Sequence, residues 1–216
     1  KVSNKAILDI KPEKKYKNTG FTLIYDKELS IKKLDDRSLN IYHSYLKKKS
    51  FVKNLGEAYE EIGFVAIENH GLSDELTNSL YEEVKKFFHL EDEIKFKYER
   101  PELNGQRGYI SFGRETAKGS TKSDLKEFWH FGQELEKDDP LSNEYEPNII
   151  CDELPEFNEV GRETFKILEK TGVSILQALA LHLGIEENYF DKKVKGGNSI
   201  LRAIHYPPIT SAPKGA

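Results

Sequence analysis

The sequence predicts a domain that mixes helices with short strands, and three observations lead to this prediction. Apolar residues recur at helical spacing in three segments, at 51–62, 73–87 and 157–183. Runs typical of strands occur in three others, at 107–113, 126–132 and 199–206. A chain of 216 residues is also long enough to bury a core without disulfide bonds. The spacing of residues by itself therefore indicates an α/β-type domain.

The composition is that of a globular protein, with 37% hydrophobic and 32% charged residues. Its 33 Lys and Arg against 37 Asp and Glu give a net charge of −4, which excludes a chain-wide basic surface for nucleic acid. No apolar run approaches the ~20 residues of a membrane span. The single cysteine, Cys151, cannot form an internal disulfide and indicates a reducing compartment. We therefore expect a cytoplasmic protein with neither a nucleic-acid nor a membrane partner.

The first part of the chain is predicted to contain two short strands and a helix. Residues 21–25 and 39–42 have the composition of strands. The Lys run at 47–49 is predicted to be a solvated linker or a helix start, and a nucleic-acid patch is the weaker interpretation. A helix then extends from Phe51 and ends at Gly63.

The next part is predicted to be a strand, a turn and two helices. The strand at 64–67 leads to a turn at 69–71, whose Asn and Gly tolerate a left-handed backbone. Ser73 is predicted to cap a helix with acidic residues in its first turn. The buried stripe of this helix is Leu76, Leu80, Val84 and Phe87. A further short helix is predicted around Ile94 and Tyr98.

Two strands in the middle of the chain are predicted to pair as a hairpin with a long polar loop. They are residues 107–113 and 126–132. In the second strand Trp129 and Phe131 alternate with His130, so we expect one face in the core and the other along a channel.

The last part is predicted to be one long helix followed by a strand. The helix ends at Gly184, and its final turns, 175–183, are apolar almost all round, so we expect them to be buried on several sides. A short helical turn at 186–190 and a strand at 199–206 follow.

Residue spacing alone yields no complete catalytic set. The six histidines contain no i, i+4 pair, and only His89 and Glu91 have the His-x-carboxylate spacing of an iron triad. These two residues lie at a predicted helix end, so an ordinary surface position is favoured. Cys151 lies in an acidic loop, which would raise its pKa and make it a poor nucleophile. No phosphate-binding glycine motif occurs.

Five short segments carry a resemblance to a known family. They are Gly56–Leu72, Phe87-Phe88 with Lys95–Tyr98, Gln106–Tyr109, Asp124–Glu127, and Ser199–Arg202 leading to His205–Pro208. In this order and spacing they resemble the isopenicillin N synthase-like non-haem iron dioxygenases over roughly residues 38–210. The resemblance implies an α+β fold, a double-stranded β-helix (jelly-roll) barrel with a helical amino-terminal region.

The same resemblance implies a domain division. Residues 1–37 would be an unmatched extension, 38–198 the dioxygenase amino-terminal region, and 199–216 the start of the barrel. The remainder of the barrel would be absent from this chain.

The resemblance also implies oxidoreductase chemistry, with Fe(II) as the metal and 2-oxoglutarate as co-substrate, on a small organic substrate. In the family two His and one Asp hold the iron and leave positions open for 2-oxoglutarate and O₂. Their His-x-Asp pair follows the Tyr-Pro-Pro strand, and this chain ends at Ala216 before such a pair. We therefore expect no iron ligand among these residues. Because the chain also begins with Lys1 and contains no Met, we expect it to be part of a longer enzyme.

Three residues are implied to lie at the site. Tyr206 matches a family Tyr whose hydroxyl contacts a carboxylate, and Arg202, on the same strand face, is assigned with it to cofactor binding. Arg107 matches, with a shift of one residue, an Arg that binds a substrate carboxylate in some members. The alternatives are a strand-end Tyr with its hydroxyl in water, a structural ion pair for Arg202, and a surface salt bridge for Arg107.

Two other functions stay open. The chain is alternatively a truncated, metal-free relative that acts as a binding or scaffold module, or an oxidase of the family that uses no 2-oxoglutarate. Succinate formation that depends on Fe(II) would exclude the plain oxidase. The sequence predicts neither the substrate nor the oligomeric state.

Overall fold

The structure of the chain is a computed structural model. It describes residues 7–8, 23–25, 29–31, 36–103, 105–116, 119, 121–135 and 138–208. The chain divides into two compact units, Lys1–His70 with Ser174–Lys192, and Gly71–Val173 with Lys193–Ala216. No helix in the described part of the chain combines the length and the apolar character that crossing a membrane would require.

The elements that the structure describes alternate between helices and short strands. In chain order they are β1 (Ile7–Leu8), β2 (Leu23–Tyr25), β3 (Leu29–Ile31), α1 (Asp36–Glu61), β4 (Ala66–Ile67), α2 (Asp74–Phe88), α3 (Asp92–Phe96), β5 (Gly108–Ile110), β6 (Glu127–Gly132), α4 (Pro155–His182), α5 (Asp191–Val194) and β7 (Ile200–His205). Short 3₁₀ turns lie at Pro101–Leu103 and Pro140–Asn143.

The first unit is built on α1 and on the last turns of α4. Leu55 of α1 is fully buried and packs with Ala178 of α4, in a core that half-buried aliphatic residues complete. A methyl group on Gly56 would lie 2.1 Å from the His182 ring, so the glycine allows this close approach of the two helices. β1 pairs in parallel with β4, and β2 pairs antiparallel with β3.

One prediction for this unit is wrong, and another is confirmed only in part. Residues 39–42 are not a strand, because they lie within α1. A short apolar run does not distinguish a strand from a helix, and the lysines that follow it favour a helix. The predicted strand at 64–67 is reduced to β4, and Phe64 is 79% exposed.

The predicted capping and turn residues are confirmed. Asn69 and Gly71 both have positive φ, at 57° and 84°. The Ser73 hydroxyl accepts a hydrogen bond from the Leu76 amide at 3.1 Å, so it satisfies one of the free N–H groups at the start of α2.

The second unit contains a three-stranded antiparallel sheet in the order β5-β6-β7. The predicted hairpin is confirmed, since Tyr109 of β5 pairs with Trp129 of β6. β7 lies on the other side of β6 and brings Arg202 opposite His130. Gly108 begins β5 with φ of 73°, where an added Cβ would lie 2.6 Å from the Tyr98 carbonyl oxygen, so glycine is required there.

Aromatic side chains form the core on one face of this sheet. Phe87 of α2 stacks on Phe157 of α4 with ring centroids 5.1 Å apart and meets Trp129 edge-on at 4.8 Å. Tyr109 and Phe131 complete the same face. The predicted core role of Trp129 and Phe131 is therefore confirmed.

A buried carboxylate lies at the edge of this core. Glu127 is 4% exposed and accepts hydrogen bonds from Lys95 Nζ at 3.0 Å, from His205 Nδ1 at 2.8 Å and from the Tyr109 hydroxyl. Burial by itself raises the pKa of the Glu127 carboxyl, but the three donors outweigh burial and hold that pKa below its ordinary value.

The end of α4 and the segment after it differ from the prediction in detail. Ala178 and Ala180 are buried, as expected, but Leu183 is 63% exposed. The short turn of helix predicted at 186–190 is displaced along the chain, because the helix, α5, begins at Asp191 directly after this segment. β7 confirms the strand predicted at 199–206.

Candidate active-site cavity

A cavity of about 250 Å³ lies on the second unit, at the face of the sheet opposite the aromatic core. Alternation along β6 places Phe128 and His130 on this face, and Arg202 of β7 lies beside them. The remaining wall comes from the segment between α3 and β5, from Tyr109 and Ile110 of β5, and from the loop after β5. Five of the eleven lining residues are Arg or Glu, so the cavity is suited to a polar ligand.

Arg202 is held on three sides. Its Nε donates to His130 Nε2 at 2.6 Å, and its Nη1 lies 3.4 Å from a carboxylate oxygen of Glu115. Its guanidinium carbon lies 4.2 Å from the centre of the Phe128 ring, a cation–π contact. Its Nη2 donates to no other residue that the structure describes. The guanidinium is thus fixed in orientation and keeps donor capacity for a ligand.

His130 is neutral, and its proton position follows from its neighbours. The ring is 3% exposed, and its Nδ1 donates to the Gly105 carbonyl oxygen. Nε2 must then be the unprotonated nitrogen, because it accepts from Arg202. Burial, reinforced by the charge of Arg202, lowers the pKa of His130 to about 4.

Two carboxylates on the wall are already paired. Glu115 accepts from Lys126 Nζ at 2.7 Å, and this hydrogen bond holds the pKa of Glu115 below its ordinary value. Glu99 accepts from the Ser111 hydroxyl at 2.7 Å and lies 3.3 Å from Arg114 Nη1. Neither carboxylate is therefore a free ligand for a cation.

Arg100 differs from the other arginines of the wall. Its Nη1 donates to the backbone carbonyl oxygens of Lys97 and Glu99, at 2.8 and 2.9 Å. No carboxylate among the described residues pairs with its guanidinium. Arg100 therefore contributes an uncompensated positive charge to the cavity.

Arg107 lies in the interior of the protein. It is 1% exposed, so the alternative prediction that it forms a surface salt bridge is wrong. Its Nη1 donates to Gln106 O at 2.8 Å and to Asn198 Oδ1 at 3.0 Å, whereas Nε and Nη2 have no partner in the described part of the chain. Burial lowers its pKa. It does not line the cavity, and its guanidinium packs against Gly132, where a Cβ would lie 2.1 Å away.

Tyr206 follows β7 and is 66% exposed. The alternation predicts the same face for it as for Arg202 and Ile204, but Tyr206 lies just beyond the end of β7 and does not line the cavity. The structure therefore brings Arg202 to the cavity and leaves Tyr206 and Arg107 outside it.

No pattern in the sequence indicated that Arg100, Glu99 and Glu115 line a cavity. His130 was expected on a channel face, but its contact with Arg202 was not. The alternation of side chains along β6 indicated the face of His130. Its contact with Arg202 depends on the register between β6 and β7, which the sequence does not reveal.

The other candidate residues are structural. His89 ends α2, and its Nδ1 lies 2.6 Å from the Lys85 carbonyl oxygen. Cys151 is buried, and burial raises its pKa, so the expected direction is confirmed with burial as the main cause. Among the residues that the structure describes, no group of three His, Cys, Asp or Glu could hold a metal ion. These residues therefore do not fit an iron site.

Comparison with known proteins identifies the family. The family model described as "non-haem dioxygenase in morphine synthesis N-terminal" matches residues 33–153, more than half of the chain. The chain therefore belongs to the non-haem Fe(II)- and 2-oxoglutarate-dependent dioxygenase family, as the resemblance predicted.

Named relatives agree with this assignment. A 2-oxoglutarate-Fe(II) type oxidoreductase of Aspergillus fumigatus is 30% identical over 180 residues, which cover 80% of this chain and 53% of the relative. The chain spans about half the length of the curated relatives it matches.

Solved structures of the family are also similar. A 2OG-Fe(II) oxygenase family protein of Caulobacter crescentus matches with a TM-score of 0.70 and 34% identity, covering 80% of this chain and 57% of that one. A full-length Neurospora crassa protein, solved in complex with alpha-KG and thymine, matches with a TM-score of 0.61 and 26% identity, covering 75% and 51%.

Proposed function

We propose that the protein carrying this chain is an Fe(II)- and 2-oxoglutarate-dependent dioxygenase that oxidises a small organic molecule. The observation that carries the proposal is the family match over residues 33–153. The Aspergillus fumigatus and Caulobacter crescentus relatives, both named for 2-oxoglutarate and Fe(II), support it.

The fold proposed for the whole protein is the jelly-roll barrel with a helical amino-terminal region. In this proposal residues 1–37 are an extension, 38–198 form the amino-terminal region, and 199–216 begin the barrel. The antiparallel pairing of β7 with β6 supports an early barrel strand there. Ile204 is 42% exposed, which is consistent with a face that further strands cover.

Fe(II) would be held by residues other than those described, since these contain no group of three suitable ligands. For 2-oxoglutarate we propose Arg202 and Tyr206 as contacts. The Nη2 of Arg202 has no partner among the described residues, and an exposed phenol can donate a hydrogen bond to a carboxylate.

Arg107 is proposed to bind a substrate carboxylate. Its two unpartnered buried nitrogens support this role, because a buried guanidinium without acceptors is costly. We expect Arg107→Ala to raise KM for anionic substrates only. An equal effect on neutral substrates would indicate structural damage instead.

The function is tested by succinate formation. The full-length protein that carries this chain is purified and incubated with 2-oxoglutarate and O₂, and succinate is measured with Fe(II), after chelation, and after Fe(II) is restored. We expect formation that chelation abolishes and Fe(II) recovers. Oxidation of a substrate without succinate would favour the oxidase, and no turnover with any Fe(II) supply would favour the metal-free module.

A further inference from the structure

The charges around the cavity do not balance. Three guanidinium groups line it, from Arg100, Arg114 and Arg202, against the two carboxylates of Glu99 and Glu115. Glu99 pairs with Arg114, and Glu115 pairs with Lys126 and Arg202. Because His130 is neutral, the lining side chains carry one net positive charge. That charge belongs to Arg100, which bonds only to backbone carbonyls in the described part of the chain.

The same wall holds a guanidinium that is fixed in advance of binding. Arg202 is fixed by His130 at 2.6 Å, by the Phe128 ring at 4.2 Å and by Glu115 at 3.4 Å. A guanidinium whose orientation is already set loses less conformational freedom when an anion binds. Its unused Nη2 can donate to a planar acceptor.

We propose that this cavity is a carboxylate-binding subsite in which Arg202 and Arg100 bind the carboxylate and neutral His130 positions Arg202. The proposal rests on the proposed function for the origin of that carboxylate, which is either 2-oxoglutarate or the organic substrate. A phosphate dianion fits less well, because Glu99 and Glu115 lie on the same wall and would repel its second charge.

Calorimetric binding to the full-length protein tests the subsite without turnover. The probes are 2-oxoglutarate, benzoate, and benzamide as the neutral counterpart of benzoate. The variants are Arg100→Gln and Arg202→Gln, with Arg162→Gln as the control. Arg162 pairs with Glu159 of α4 and with Glu134 of the loop after β6, and none of these residues lines the cavity. Thermal unfolding of each variant shows whether it folds.

We expect Arg100→Gln and Arg202→Gln each to lower the affinity for one of the two carboxylate probes at least tenfold. Arg162→Gln should leave both affinities within twofold of the wild type. Weaker binding of 2-oxoglutarate by these variants assigns the subsite to the co-substrate. Weaker binding of benzoate assigns it to the organic substrate, provided that the wild type and all variants bind benzamide poorly. Unchanged affinity for both, no binding of either carboxylate, or benzamide bound as tightly as benzoate would overturn the proposal.

The positioning role of His130 has its own readout. His130→Gln keeps a hydrogen-bond acceptor for Arg202, whereas His130→Leu removes it. We expect His130→Leu to lower the affinity for the same carboxylate probe that Arg202→Gln affects. His130→Gln should retain most of the wild-type affinity. Nitrogen NMR of the wild-type ring should show the proton on Nδ1 at neutral pH. A proton on Nε2, or wild-type affinity in His130→Leu, would contradict this role.

The two proposals fail in different ways. A protein that binds carboxylates as expected but forms no succinate contradicts the proposed function and leaves the subsite intact. One that forms succinate, but whose affinities are unchanged in the arginine variants, contradicts the subsite alone.

Discussion

Single residues in this chain carry charges and protons that their surroundings determine. His130 is buried among Phe128, Arg202 and the Gly105 carbonyl, and it faces the charges of Arg202, Glu115 and Arg107. Protonation would place a second positive charge beside Arg202 and remove the acceptor for its Nε–H. The folded protein therefore disfavours protonated His130.

Acid is expected to destabilise the protein through His130. Its pKa is about 4 when folded, against an ordinary value of 6.5, so the unfolded chain binds the extra proton between these values. The free energy of unfolding should fall as the pH falls from 6.5 to 4, with a contribution from His130 of up to about 3 kcal/mol. Urea unfolding at a series of pH values measures this.

His130→Gln is the control for this pH dependence. This variant lacks the titrating ring. Glu115 and Glu127, whose pKa values are lowered in the folded protein, still make the wild type and the variant less stable in acid. The variant should show a shallower loss of stability between pH 6.5 and 4. Identical pH profiles for the two proteins would contradict the assignment.

Glu127 provides a second prediction at the residue scale. Glu127→Gln removes a buried charge that Lys95 and His205 contact, and it should lower the free energy of unfolding by about 2–4 kcal/mol at neutral pH. The matched control is Glu82→Gln in the exposed Lys85–Glu82 pair, where the loss should stay below about 1 kcal/mol. Equal losses in urea unfolding would show that burial does not determine the cost.

At the scale of elements, α4 packs on β6 through a glycine. Gly161 lies where an added Cβ would meet the Phe131 ring at 2.2 Å, and Phe131 is 2% exposed. Gly172, further along the same helix, has no neighbouring atom within 4 Å of such a Cβ. The two glycines therefore separate helix propensity from packing.

Alanine at these positions should act in opposite directions. Gly172→Ala should raise the free energy of unfolding by up to about 1 kcal/mol, because alanine is the better helix former. Gly161→Ala should lower it by about 1–3 kcal/mol, because the ring has little room to move. Thermal unfolding of both variants measures this, and stabilisation by Gly161→Ala would show that the core yields more easily than its packing indicates.

At the scale of the whole molecule, the described residues contain the cavity but no metal-binding group. The full sequence also contains no His-x-Asp pair, so we expect the 216-residue chain by itself not to bind Fe(II). Its thermal unfolding temperature should be unchanged by added Fe(II) under anaerobic conditions. One metal ion retained per chain after desalting would contradict this.

Local patterns predicted most elements of the chain. Ser73 capped α2, Gly184 followed α4, and alternation identified β6 with Trp129 in the core. The strand predicted at 39–42 failed because a short apolar run has no period long enough to separate strand from helix. Such errors come from local signals that are too short to distinguish the two structures.

The family followed from the linear sequence, because five motifs in a set order identify it without any fold, and the match over residues 33–153 confirms it. Which charges meet depends instead on how the strands pair. Arg202 lies 72 residues from His130, and they touch because β6 and β7 pair in one register. Burial likewise depends on the packing of distant segments. This is why Arg107 lies in the interior, although one interpretation of the sequence placed it in a surface salt bridge.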